Sequence, residues 1–179
     1  MKLKNQYISV GMKVLTVYYI IWLIFIVVFK MTFSINNLLI ERQINLLPFY
    51  YDNTVNIKVV FDEMVSNILI FLPLGIMIRS ILFRKNNLKS ILFVFFFSLA
   101  IEFLQYALSI GVFDITDIIN NTLGGVLGVG IYNLALKKFK SKFKVDKFIF
   151  WIAFISAIFI SLVLIVFLKY NGIWDFDIN

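Results

Sequence analysis

Apolar residues along the chain come in five long blocks, at about residues 14–33, 64–83, 90–110, 117–136 and 148–168. Each is close to the ~20 residues that an α-helix needs to cross hydrocarbon. The pattern predicts an all-α fold, an integral membrane helical bundle of about five transmembrane helices. Three of the four connections are short; residues 34–63 form the only long one. Within it LLPFYY, at 46–51, is apolar enough to lie on a membrane interface. It reads as a surface loop with interfacial aromatics, in preference to a re-entrant lid.

Composition agrees with the pattern. Hydrophobic residues make up 61% of the chain and the mean hydropathy is +0.94, against roughly 45–50% apolar in soluble domains. In 179 residues, five spans leave only short loops, so the chain reads as a single membrane domain over 1–179 without a separate soluble one. The first block follows Lys2, Lys4 and Lys13, as a signal peptide would, but Lys30, Met31 and Phe33 stand where small residues would mark a cleavage site. It reads as a retained span. Cysteine and histidine are both absent, which removes disulfides, thiol nucleophiles, imidazole bases and the usual zinc ligands. No metal and no cofactor is expected.

The formal charge is +7, from 17 Lys and Arg against 10 Asp and Glu. In a membrane protein such an excess sets orientation, and no nucleic-acid role is expected. The cations alternate between connections: thirteen fall on one side of the predicted spans and three on the other, with Lys30 inside a span. By the positive-inside rule the N-terminus is cytoplasmic and the C-terminus external. Lys30 can snorkel to the outer interface, and Tyr170 and Trp174 suit its aromatic belt.

With that orientation, the polar residues embedded in the apolar blocks collect at one depth. Asn67 falls near the outer end of span two, with Pro73 about 9 Å deeper at 1.5 Å per residue. Glu102 and Gln105 lie one helical turn apart in the outer half of span three, and Asp114, Asp117, Asn120 and Asn121 lie at the start of span four. Polar groups at membrane depth need partners or a water-filled space, so the expectation is an outward-facing polar cavity. Pro73 frees the carbonyl of Leu69 and can kink span two, opening space beside Glu102. Gly75, Gly124, Gly125 and Gly128 allow close helix approach, the pair Gly124 and Gly128 at GxxxG spacing.

Each of these residues also has a purely structural reading. The glycines need do no more than pack helices. Glu102 can be a structural carboxyl bonded to Gln105 or Asn121; equally it can be a ligand contact or a proton-bearing group, and an ionisable residue at this depth marks a site by default. Asp114, Thr116 or Asp117 can cap span four, and Asn67 can simply start its helix.

Three ordered motifs, NILIFLPLG at 67–75, IEFLQ at 101–105 and FDITDIINNTLGG at 113–125, together with NLLPF at 45–49, resemble those of VanZ-like membrane proteins. The resemblance covers roughly residues 45–135, leaving the span at about 148–168 as an added C-terminal helix. It implies a multi-pass protein of the bacterial cell membrane, linked to low-level resistance to teicoplanin and related lipoglycopeptides. Many relatives carry an Arg just before the FDI stretch, where this chain has Ser109, Gly111 and Val112. Two functions stand from this point. One is a non-enzymatic envelope factor whose cavity takes a lipid-linked cell-wall precursor or a lipoglycopeptide. The other is a membrane enzyme using Glu102 and Asp117 as acid and base. Service as a structural partner of another envelope protein, through an outward GxxxG face, is a further alternative. The oligomeric state is not legible.

Overall fold

The computed structural model describes residues 2–29, 41–50 and 57–170. Five helices account for most of them: α1 (Lys2–Phe29), α2 (Ile57–Ile81), α3 (Asn87–Leu108), α4 (Ile115–Phe139) and α5 (Lys142–Tyr170). They run alternately up and down: the short connections after α2, α3 and α4 require it, and the contacts Ser9–Arg84 and Tyr19–Ile70 set α1 antiparallel to α2. Each begins before its apolar block, because polar and charged residues at a helix end continue the backbone ladder while their heads reach the interface, whereas α2 and α3 stop two residues short of their blocks. Four are long and apolar enough to cross a membrane: 6–28 of α1, then α2, α3 and 142–166 of α5. The fifth, α4, is as long as α2 but carries Asp117, Asn120, Asn121 and four glycines. It lies between α2 and α3, so protein rather than lipid solvates its polar face.

Small residues set that packing. A methyl group on Gly124 would overlap the carbonyl of Ile68, one on Gly128 that of Leu72, and one on Gly75 that of Gly125. Lipid tails are as apolar as leucine, so in a bilayer close van der Waals fit replaces the hydrophobic drive between helices. The GxxxG face therefore points inward against α2, and it does not form the outward partner surface considered above. Around this contact Leu23 and Val28 of α1, Phe71, Leu74 and Ile78 of α2, and Val94 and Ile101 of α3 form the buried core. Beyond Asp146, the described side chains of α5 are only half-buried or exposed, as befits an apolar helix facing lipid.

Two short strands, which the hydropathy pattern does not announce, sit at one end of the bundle. Strand β1 (Glu41–Asn45) pairs in parallel with β2 (Ile110–Asp114), placing Asn45 opposite Asp114. After β1, residues 47–50 make a turn with Pro48 second and Phe49 third, closed by the Tyr50 amide donating to the Leu47 carbonyl at 3.3 Å. Phe49 has φ 57°, a left-handed conformation uncommon for a bulky residue, and its amide donates to the Thr116 hydroxyl at 3.1 Å. Leu46, Leu47, Phe49 and Tyr50 are all exposed, which agrees with an interfacial surface turn. Tyr51, Lys30 and Trp174 lie outside the described residues.

Candidate functional site

The strand end of the bundle gathers the carboxylates. Helix α3 stops at Leu108, capped by Ser109 in the left-handed region with φ 57°, and the chain turns at once into β2. That strand ends on Asp114, which is the N-cap of α4: its carboxylate accepts the Thr116 amide at 2.7 Å. The other carboxylate oxygen accepts from the Asn45 side-chain amide at 3.0 Å. Its backbone N–H donates to Oε2 of Glu102 at 3.1 Å. Asp114 is thus fixed from three directions, by its own helix, by β1 and by α3.

Beside it, the Asn67 side-chain amide donates to Asp117 at 2.7 Å. Asn67 does not start its helix. It lies ten residues into α2, whose N-terminal turns project past the start of α4. Gln105 reaches across to the carbonyl of Val27 on α1 at 3.0 Å. These groups surround a cleft of about 670 Å³ that takes Gln43, Asn45, Tyr50, Glu63, Asn67, Gln105, Asp114 and Asp117 on its polar side and Ile26, Val27, Val60, Ile70 and Val112 on its apolar side.

Of the residues expected to line a cavity, Asn67, Gln105, Asp114 and Asp117 face this one. Glu102 stands behind it, 1% exposed, and accepts from the Asp114 amide. Asn120 and Asn121 are buried deeper along α4, where the Asn121 amide donates to Ser98 of α3 at 2.9 Å. The Asn120 Nδ2, Asn121 Oδ1 and Thr122 Oγ1 atoms have no hydrogen-bond partner among the described residues. Pro73 is also placed differently from expectation. It sits in an unbroken α2 and lines a separate apolar cavity on the α5 side, so it opens no space beside Glu102. Gln43, Asn45 and Glu63 were not candidates in the sequence. Asn45 carried a signal, through its place in the NLLPF motif, whereas Gln43 and Glu63 come from a long polar connection with no periodicity to single them out. Among the described residues no group of three acidic side chains is placed to hold a metal ion.

Comparison with known proteins adds what geometry alone does not. The VanZ/LLP1 family profile matches residues 16–138. The chain is 34% identical over 142 residues to Protein VanZ of Enterococcus faecium, covering 78% of this chain and 84% of that one. The chain belongs to the VanZ/LLP1 family. It is accordingly a multi-pass bacterial membrane protein, with a lipid bilayer as its surroundings. The VanZ/LLP1 match begins inside α1 and ends in the last turn of α4, so it contains every described helix and strand that contributes to the polar cleft, while α5 lies beyond it. No solved structure matches the chain.

Proposed function

We propose that this VanZ-family chain contributes to low-level resistance to teicoplanin-type glycopeptides by holding a lipid-linked or lipophilic ligand in the polar cleft, which faces the outside of the cell. The kinship with Protein VanZ supports the resistance role. The observation that carries the ligand reading is the lining of the cleft. Three carboxylates, Glu63, Asp114 and Asp117, and the amides of Gln43, Asn45, Asn67 and Gln105 converge beside an aliphatic wall. Such a lining accepts from sugar hydroxyls, peptide amides or a cationic group and takes an acyl chain alongside. A lipid-linked cell-wall precursor and a lipoglycopeptide both combine these features.

An acid/base pair of Glu102 and Asp117 would require both carboxyls to reach one substrate, and only Asp117 lines the cleft. The binding reading is favoured over the enzymatic one on that ground. Glu102 acts on a ligand only through the position it gives Asp114. The test is teicoplanin susceptibility of a sensitive host expressing the chain. Asp117→Asn and Glu63→Gln reduce protection while membrane abundance, followed by immunoblot, stays at the wild-type level. Full protection by both variants would overturn the assignment of the cleft.

A further inference from the structure

The opposite end of the bundle carries a second arrangement that the cleft does not use. The two helix junctions there, residues 79–89 and 137–147, hold ten Lys and Arg against one carboxylate, Asp146. Asp146 accepts from the hydroxyls of Ser80 and Tyr132, each at 2.8 Å, and pairs with Lys142. Arg84 reaches α1, donating to Ser9 at 3.2 Å, and with Ser9, Lys142 and Asp146 it frames a pocket of about 180 Å³. Immediately behind the Tyr132–Asp146 hydrogen bond lies a cavity of about 490 Å³, walled by α1, α2, α4 and α5 and apolar almost throughout.

The α5 wall explains why the space exists. Ala153, Ser156 and Ala157, at i, i+3 and i+4, put one small face toward the cavity. Pro73 of α2 stands among the facing residues. From Phe148 to Ile160 the cavity follows α5 for about 18 Å, more than half of the ~30 Å hydrocarbon core.

We propose that this seam holds one anionic phospholipid, its phosphate against Arg84 and Lys142 and one acyl chain in the apolar cavity. A basic pocket at the headgroup level, whose Asp146 is hydrogen-bonded to Tyr132 in the lining of an apolar channel, matches the two halves of such a molecule. A small inorganic anion would use only the polar pocket, and an apolar molecule only the channel. With Asp146 paired to Lys142, the pocket keeps a net positive charge of one.

Native mass spectrometry of the purified full chain, offered phosphatidylglycerol and phosphatidylcholine in equal amounts in mixed micelles, tests this. The wild type retains one phospholipid and prefers phosphatidylglycerol about tenfold. Combined Arg84→Gln and Lys142→Gln bring that preference close to one. Ala153→Trp, which fills the channel, lowers total retention at least fivefold, and excess glycerol phosphate displaces nothing. Equal retention of the two lipids by the wild type, no retained lipid, or displacement by glycerol phosphate alone overturns the proposal. If the Trp variant does not reach the membrane, headgroup preference in the wild type and the double Gln variant decides.

Discussion

The tether between Asn45 and Asp114 can be broken by one substitution and remade by a second that restores the net charge. In Asp114→Asn the capping oxygen toward the Thr116 amide is retained, and Asn caps about as well as Asp. The oxygen facing the Asn45 amide becomes a second N–H donor. Asn45 cannot simply rotate to suit it, because its own oxygen accepts the Leu47 amide at 3.2 Å. A hydrogen bond to a charged group is worth about 1.5–3 kcal/mol, so the substitution lowers stability by about that amount, roughly 10- to 150-fold in the folding equilibrium. Asp114→Ala removes the cap as well and adds about 0.5–2 kcal/mol. Adding Asn45→Asp to Asp114→Asn exchanges the partners: the new carboxylate accepts from the new amide and still accepts from Leu47. The double variant therefore regains most of the loss, with a coupling energy above about 1.5 kcal/mol in a double-mutant cycle. Reversible unfolding of the purified protein in mixed micelles measures all four species. If the exchanged pair is no more stable than the single Asn variant, the three-way fixing of Asp114 is refuted.

Other expectations follow from packing, polar burial and orientation. Gly128→Ala pushes a methyl into the Leu72 carbonyl and costs about 1–3 kcal/mol, whereas Gly130→Ala, which meets nothing within 4 Å, stabilises α4 by about 0.5–1 kcal/mol; thermal unfolding of the two variants should move in opposite directions. Ser98→Ala removes the acceptor of the buried Asn121 amide and costs about 0.6 kcal/mol, the average for such bonds in membranes, by the same unfolding assay. The chain has no cysteine, so single-cysteine labelling is free of background. Leu47→Cys reacts with an impermeant maleimide in intact cells and Lys140→Cys does not. The reverse result would place the polar cleft on the cytoplasmic side.

The positions of the helices were readable from the chain because a helix in lipid satisfies its own backbone and needs only a sufficiently long apolar stretch. The polar character of one end was readable too, since carboxylates and amides inside such stretches are costly and stand out. The cap at Asp114 is likewise local chemistry, written in a few consecutive residues. What tertiary structure decided is which of those polar groups meet. The pairing of residues 41–45 with 110–114 joins segments about seventy positions apart through backbone hydrogen bonds, for which five-residue stretches carry no periodic signature. That pairing brings Asn45 to Asp114 and Gln43 into the cleft. The direction of a side chain around its helix also depends on where the neighbours stand. Glu102 consequently turns to the Asp114 amide, Asn121 to Ser98, and Pro73 to the α5 seam, none of which hydropathy or spacing could specify.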